Sequence, residues 1–188
     1  MENLRRFNDH PMWDQGFTKN IYRFPFSTDI DFSESGAKLA IGLPENEISR
    51  AGQYYFAKSP QSHLSPYKWA IDFLIPDGTE ILAAEEGYIE QAVDNFDQWG
   101  PTEDFRSKLN FITIKHAHGE RSQYCHLEKD SFTNTGLYLG RWVNKGQLIA
   151  RVGKTGWTDR DHLHFMVFAL GRLPESLWNF YSLKIRFE

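Results

Sequence analysis

The chain has very little cysteine, no long apolar run and no concentration of charge of one sign, and each lack excludes a class of protein. Cys125 is the one cysteine in 188 residues, which excludes an internal disulfide framework and a cysteine cage for a metal, so that His, Asp and Glu are the available ligands. No segment reaches the roughly 18 apolar residues that a membrane span requires. The net charge of -4 is mild and forms no long run, which argues against a nucleic acid partner.

The beginning of the chain also lacks a recognisable secretory signal. Arg5 and Arg6 are not followed by an apolar signal core, so no signal peptide is visible and the localisation stays open. Aromatic residues are abundant instead, with 15 Phe, 8 Tyr and 6 Trp, which is ample for one well-packed core in a chain of this length. Residues 1–50 have no strong helical periodicity, and we interpret them as an N-terminal extension of short strands and loops packed on a main domain at 51–188.

From Gln53 onward, short apolar or alternating runs end in turn residues, a pattern typical of antiparallel strands. Helix is scarce, with one or two turns predicted at 174–181. Residues 95–109 form the longest irregular insertion, interpreted either as a wall of a site or as a plain surface excursion. The predicted fold is mainly β, an antiparallel sheet folded into a sandwich with a groove, which Trp99 and Tyr54 are candidates to line. The predicted strands are 69–75, 79–83, 87–93, 110–116, 122–127, 146–153, 161–168 and 183–187.

One strand carries two histidines on the same face. The alternation in 161–168 places His162 and His164 roughly 7 Å apart on one side of a strand. Two aligned imidazoles suit metal binding or proton transfer, although such a pair is often a set of ordinary surface or core histidines. His116 and His118 form a rival pair beside Gly119 at a predicted hairpin turn, where we expect a structural strand-end residue and a solvent-exposed one.

Three further polar residues stand among apolar neighbours. Asp72 interrupts the apolar run at 69–75 and is costly to bury unless a cation compensates its charge. It is therefore a candidate metal ligand, and the alternative interpretation is an aspartate on the solvent-facing side of the strand. His63 precedes Asp72 across a segment suited to a turn, so a hairpin can bring the two side chains together. His126 ends its strand as Tyr-Cys-His-Leu, where a core histidine is the ordinary interpretation.

These residues occur in blocks that together resemble the lysostaphin-like zinc endopeptidases, the LytM-type peptidoglycan hydrolases, over roughly residues 60–170. The first block is Ser62-His63, then Ala70-Ile71-Asp72-Phe73 and Pro76-x-Gly78-Thr79-x-x-Leu82-Ala83-Ala84-x-x-Gly87. The middle block is Asn110-Phe111-Ile112-Thr113-Ile114-x-His116 and Tyr124-x-His126-Leu127. The last is Gly146-Gln147-x-Ile149-x-x-x-Gly153-x-Thr155-Gly156, leading to His162-Leu163-His164-Phe165.

The resemblance implies a zinc metallopeptidase and divides the site residues into two roles. His63, Asp72 and His164 would hold zinc (Zn2+), and His126 and His162 would be the catalytic histidines. Two imidazoles and a carboxylate leave an open position on zinc, where the pKa of water falls to about 7 and a carbonyl is polarised. Metal-activated water would then attack a peptide bond, while the two histidines orient it, move its proton and stabilise the oxyanion; which histidine does which is left open.

The implied substrate is a peptide of peptidoglycan, in cross-links or stem peptides, with action in the periplasm or outside the cell. Alternatives are a non-catalytic binding or regulatory module of the same fold, and a zinc hydrolase acting on another amide. Two features depart from the family pattern: the long spacing from His63 to Asp72, and Asp161 where an uncharged residue is usual. If Asp161 points at His162, it raises the pKa of that imidazole. Oligomeric state is left open.

Overall fold

The computed structural model describes residues 16–171 and 179–188, and nearly all of their regular structure is strand. One α-helix, α1 (Ser33–Leu39), and short 3-10 helices at Glu45–Glu47, Glu103–Lys108, Ala117–Gly119 and Thr133–Thr135 accompany the strands. The strands are β1 (Ile48–Ala51), β2 (Tyr54–Ala57), β3 (Ile71–Phe73), β4 (Glu80–Leu82), β5 (Gly87–Val93), β6 (Trp99–Gly100), β7 (Phe111–Lys115), β8 (Glu120–Cys125), β9 (Trp142–Val143), β10 (Leu148–Arg151), β11 (Gly156–Trp157), β12 (Leu163–Leu170) and β13 (Phe180–Ser182).

Nine strands form one antiparallel sheet in the order β1-β2-β3-β12-β8-β7-β5-β9, with β13 pairing with β12. Two small pairs lie outside this sheet, antiparallel β4 with β10 and parallel β6 with β11. The prediction of a mainly antiparallel β fold is therefore confirmed. Long β12 lies between β3 and β8, so side chains from three strands distant in sequence meet along it.

Alternation along β12 separates two faces of the sheet. Leu163, Phe165 and Val167 are buried in the large hydrophobic core, whereas Met166 and Phe168 belong to a smaller cluster. Successive side chains of a strand point to opposite faces, so residues in register with Met166 leave the large core. The core face is covered by β4, β10 and aromatic residues of the N-terminal segment, among them Tyr22, Phe26 and Phe32.

The N-terminal segment contains a helix where strands and loops were predicted, and that prediction is wrong for α1. Gly36 is the buried residue of this helix. A Cβ at Gly36 would lie 3.0 Å from the ring of Tyr55 and 3.2 Å from the Leu74 carbonyl oxygen, so glycine permits the helix to approach the sheet closely. A seven-residue helix with one buried position has no apolar stripe, which explains why periodicity did not reveal it.

The last predicted strand, 183–187, is also wrong. The strand here is β13, which ends at Ser182, and the following residues instead form isolated parallel bridges, Phe17 with Lys184 and Tyr22 with Phe187. The chain end thus leaves β12 to pair with the N-terminal segment, a long-range contact that no local pattern reveals. Of the helical turn predicted at 174–181, residues 174–178 lie outside the described residues, and Phe180 and Tyr181 belong to β13.

The boundary predicted at residue 50 falls within β1, and it stays a prediction. Residues 1–15 of the predicted extension lie outside the described part of the chain. Within that described part, no helix is both long enough and apolar enough to cross a membrane.

Candidate metal centre

The candidate centre lies where β3 pairs with β12, on the side of the sheet away from the large core. Asp72 is directly opposite His164 in the antiparallel register. Their neighbours Phe73, Leu163 and Phe165 point into the core, so alternation directs the two polar side chains to the other face. The ordinary apolar pattern of two strands therefore brings a carboxylate and an imidazole together.

A third residue joins them from the loop after β2. His63 Nε2 lies 3.2 Å from Asp72 Oδ1, and His164 Nδ1 lies 2.8 Å from the same oxygen. One ligand atom from each of His63, Asp72 and His164 falls within 4.8 Å of the others. The Asp72 side chain is 6% exposed. These three residues could hold a metal ion, and they are the three to which the family resemblance gives that role.

The loop that carries His63 is tied directly to Asp72. Ser59 has a positive φ of 44°, and its hydroxyl donates to Asp72 Oδ2. Its carbonyl oxygen accepts a hydrogen bond of 2.8 Å from the His63 N–H. One residue therefore contacts both the carboxylate and the backbone of the histidine beside it.

The two predicted catalytic histidines lie next to this triad and against each other. The ring centroids of His126 and His162 are 4.5 Å apart, and those of His126 and His164 are 6.2 Å apart. His162 Nε2 is 3.9 Å from Asp72 Oδ1. All five predicted site residues thus meet in one place. The prediction that His162 lies on the same strand as His164 needs correction, because β12 begins at Leu163 and His162 is in the preceding loop.

Backbone carbonyls orient both of these rings. His126 Nδ1 lies 2.7 Å from the Thr155 carbonyl oxygen, and His162 Nδ1 lies 3.1 Å from that of Arg160. A carbonyl can only accept, so the network assigns the proton to Nδ1 in each neutral ring and the lone pair to Nε2. His126 also has a positive φ of 64°, a conformation that is uncommon outside glycine and is often found at functional sites.

Burial and the neighbouring charges shift the pKa values of the group. Burial by itself would raise the pKa of Asp72, but His162 and the hydrogen bonds from His164 and His63 hold it well below its ordinary value. Burial, together with the smaller effect of His162, lowers the pKa of His126 to about 3. At neutral pH the site therefore combines an ionised carboxylate with a neutral His126.

Burial likewise lowers the pKa of His162, against the opposing effect of Asp72. Asp161 does not point at this imidazole: its carboxylate accepts from the Asp77 N–H at 3.4 Å and lies 3.4 Å from Lys154 Nζ. The condition under which Asp161 would raise the pKa of His162 is therefore not met, because the side chain turns toward a different loop.

The rival histidine pair behaves as predicted. His116 is buried just after β7, with Nδ1 2.7 Å from the Glu86 carbonyl oxygen and Nε2 2.8 Å from Ser122 Oγ. His118 is exposed and occupies the turn with a φ of 60°. The first is a structural strand-end residue and the second faces solvent.

Sequence reasoning assigned no supporting role to four residues that hydrogen-bond to the site: Ser59, Thr155, Thr158 and Arg160. All four lie in or beside loops, and their hydrogen bonds to the site carry no periodic signal. The predicted insertion at 95–109 contains β6 and a 3-10 helix, and Trp99 is 43% exposed beside a cavity of about 260 Å³ that Thr155 also lines. Tyr54 instead stacks on Phe24, in the aromatic cluster of the core.

Comparison with known proteins gives one family match and several distant relatives. The sequence model of peptidase family M23 matches residues 66–173, more than half of the chain. That range includes Asp72, His126, His162 and His164 but begins after His63. An uncharacterized metalloprotease of Haemophilus influenzae is 23% identical over 165 residues, which cover 85% of this chain and 32% of that protein.

Peptidoglycan DD-endopeptidase ShyC of Vibrio cholerae is 28% identical over 108 residues, covering 56% of this chain and 22% of that protein. Among solved structures, a zinc-containing peptidase from Vibrio cholerae aligns with 22% identity and a TM-score of 0.48, covering 79% of this chain and 36% of that one. The chain thus spans about a third or less of the length of these relatives.

Proposed function

Because the chain belongs to peptidase family M23, we propose that it is a zinc-dependent endopeptidase that hydrolyses peptide bonds in peptidoglycan cross-links or stem peptides. The observation that carries the proposal is the convergence of His63, Asp72 and His164 within 4.8 Å, with two further histidines beside them. The peptidoglycan substrate is supported by the similarity to the endopeptidase ShyC. Such a substrate implies action in the periplasm or outside the cell.

The donor atoms of the triad fit zinc. Two imidazole nitrogens and one carboxylate oxygen match the ligand set of catalytic zinc sites, which keep a fourth position open. The lowered pKa of Asp72 keeps this ligand ionised at neutral pH, and a deprotonated ligand is what metal binding requires. When bound, the metal would supply Lewis acidity toward the scissile carbonyl and an activated water.

The other two histidines would move the proton. Each neutral ring holds its Nδ1 proton on a carbonyl oxygen, Thr155 for His126 and Arg160 for His162, so Nε2 is free of a proton and can accept one from the attacking water. The ring that takes the proton becomes a donor. It can then stabilise the oxyanion or protonate the leaving amine.

The test combines metal analysis with cleavage assays. Purified protein is expected to bind one zinc ion per chain and to release fragments from peptidoglycan. His164→Ala should lose zinc and cleavage together, because it removes a ligand. His126→Asn should keep zinc and lose cleavage about 100-fold or more, the usual contribution of a general acid or base.

His118→Asn is the matched control, since His118 and His126 both have a positive φ near the same value, 60° and 64°, which asparagine tolerates. It should retain zinc and full activity. Zinc retained after His164→Ala would refute the ligand set. Bound zinc without release from peptidoglycan or simple peptides would indicate a binding module, and release from simple peptides alone would indicate another amide substrate.

A further inference from the structure

Arg160 connects the loop before β12 to the N-terminal helix. One guanidinium nitrogen donates to the Leu39 carbonyl oxygen at 2.8 Å and lies 3.4 Å from that of Ile41. The other two nitrogens donate to the Asp159 carboxylate at 2.9 and 2.8 Å. The Arg160 side chain is only 18% exposed. Its planar guanidinium therefore forms hydrogen bonds to two different groups, a backbone segment and a carboxylate.

The backbone of the same residue holds the ring of His162. The Arg160 carbonyl oxygen accepts from His162 Nδ1 at 3.1 Å and from Thr158 Oγ1 at 2.8 Å. The Arg160 N–H donates back to Thr158 Oγ1 at 3.3 Å. A shift of the Arg160 backbone therefore moves the acceptor that sets the tautomer and orientation of His162.

Helix α1, which accepts the hydrogen bond from the guanidinium, is itself packed against the sheet and the core. Its Gly36 lies close against Tyr55 of β2, and Phe32, at its N-terminal end, is buried in the core. Leu39 is the last residue of the helix, and the carbonyls of a last helical turn lack partners within the helix. The guanidinium supplies such a partner, so helix and loop stabilise each other.

We propose that Arg160 is a positioning residue that couples helix α1 to the orientation of His162, so that the N-terminal segment outside the family match supports the site. The part of this proposal that concerns catalysis rests on the proposed peptidase function. The structural part, a fixed His162 ring, stands without it. The two parts are tested by separate measurements.

The kinetic test compares Arg160→Met with Arg50→Met. Arg50 is an exposed arginine on β1 that likewise donates to a backbone carbonyl, that of Gly52 at 2.7 Å, and it contacts no residue of the site. Arg160→Met should lower kcat about tenfold, as loss of a supporting contact typically does, with KM changed less than about twofold and zinc content unchanged. Arg50→Met should leave all three values unchanged.

The second measurement does not depend on activity. Proton–nitrogen correlation spectra of isotope-labelled histidine in the metal-free protein are expected to show His162 protonated at Nδ1. Arg160→Met should convert this signal to a mixture of tautomers, whereas Arg50→Met should not. If no substrate is cleaved by the unmodified protein, the peptidase function fails while this spectrum still decides the positioning role.

Arg160→Lys keeps the test decisive if the methionine variant does not fold. Lysine can reach one acceptor but cannot form the paired contact with Asp159. The kcat of the lysine variant should therefore fall between those of the unmodified protein and the methionine variant. Its His162 spectrum should differ measurably from that of the unmodified protein. A His162 spectrum unchanged in the Arg160 variants would overturn the proposal, and so would kcat values equal to those of the Arg50 control.

Discussion

The two ends of strand β8 both place a buried carboxylate near a buried imidazole, but the partners of these groups differ. β8 begins at Glu120, close to His116, and ends at Cys125, which pairs with His164 and is followed by His126. At the first end the carboxylate accepts from amide and hydroxyl groups. At the second end several imidazoles share a single oxygen atom of Asp72.

At the Glu120 end, the N-terminal segment supplies the donors. The carboxylate accepts from the Lys19 N–H, from the backbone and side-chain amides of Asn20 at 3.2 and 2.8 Å, and from the Tyr22 hydroxyl at 3.0 Å. His116 has a partner for each ring nitrogen. Such a fully satisfied network stabilises a fold and has no donor or acceptor left for a ligand.

At the Asp72 end, one oxygen serves two histidines and has a third nearby. Oδ1 is within 3.2 Å of His63 and His164 and is 3.9 Å from His162. The imidazole nitrogens beside this oxygen donate to it in the metal-free protein, and once deprotonated they can bind a cation together with the carboxylate. Burial alone therefore does not distinguish function from structure. The chemistry of the partners does, because amide groups can only donate here whereas a neutral imidazole nitrogen can also bind a metal.

The strongest test of this difference removes the charge at each end with little change of shape. Asp72→Asn should abolish zinc binding and peptide cleavage, because the anionic ligand is lost. Glu120→Gln should retain zinc and cleavage but lower the free energy of unfolding by about 2 kcal/mol, the worth of a hydrogen bond to a charged group. Metal analysis and denaturant unfolding measure the two effects.

The difference between the two ends of β8 is contradicted if Glu120→Gln lowers zinc binding or if Asp72→Asn leaves zinc binding unchanged. A Glu120→Gln protein that loses zinc while still folded would show that this end also controls the metal site. An Asp72→Asn protein that still binds zinc in a one-to-one ratio would show that the Asp72 carboxylate is not a ligand.

A finer test replaces one serine at each end. Ser59→Gly removes the hydroxyl that donates to Asp72 Oδ2 and suits the positive φ of 44° at this position. Zinc affinity should fall about 10- to 100-fold, as is typical when a contact supporting a ligand is lost. Ser122→Ala removes the partner of His116 Nε2 and should cost about 1–3 kcal/mol of stability with zinc affinity unchanged.

Competition with a chelator measures the affinities, and denaturant unfolding measures the stabilities. Equal zinc affinity for Ser59→Gly and the unmodified protein would mean that Asp72 is oriented by the sheet alone. Reduced affinity in Ser122→Ala would mean that the two ends of β8 are coupled.

Much of this architecture was predictable from alternation, and the parts that were not depend on contacts between distant segments. β5 coincides with the predicted 87–93, and the pattern around Asp72 and His164 correctly indicated two polar residues among core strands. Helix α1 buries one residue, and the bond from Arg160 to Leu39 spans 121 positions. Neither feature leaves a local periodic signal, because each is determined by tertiary packing.

The support of His126 was unpredictable for a related reason. Its positive φ and its bond to Thr155, 29 residues away, result from the meeting of two loops. The residue types of the site could be recognised in the sequence by their unusual surroundings. The geometry that distinguishes His126 from His116, which is also buried, could not be recognised in the sequence, because it depends on which groups hydrogen-bond to each ring.

A third test follows the pH dependence of stability in the metal-free protein. Burial lowers the pKa of His126 to about 3 and also lowers that of His116, relative to about 6.5 in an unfolded chain. Below pH 6.5 the unfolded chain therefore binds protons that the folded protein does not. The stability is fully present above about pH 6.5 and is lost progressively toward pH 3, with a slope of at most about 1.4 kcal/mol per pH unit for each such group.

Substitution of either histidine by asparagine should reduce this slope in the metal-free protein, by up to one proton for each ring. Burial acts at both ends of β8, so the slope does not separate them, whereas cleavage should be lost in His126→Asn and kept in His116→Asn. Unfolding free energies measured between about pH 4 and pH 7, above the range in which Asp72 titrates, give both slopes. A slope that either variant leaves unchanged would show that the replaced ring is not held neutral by burial.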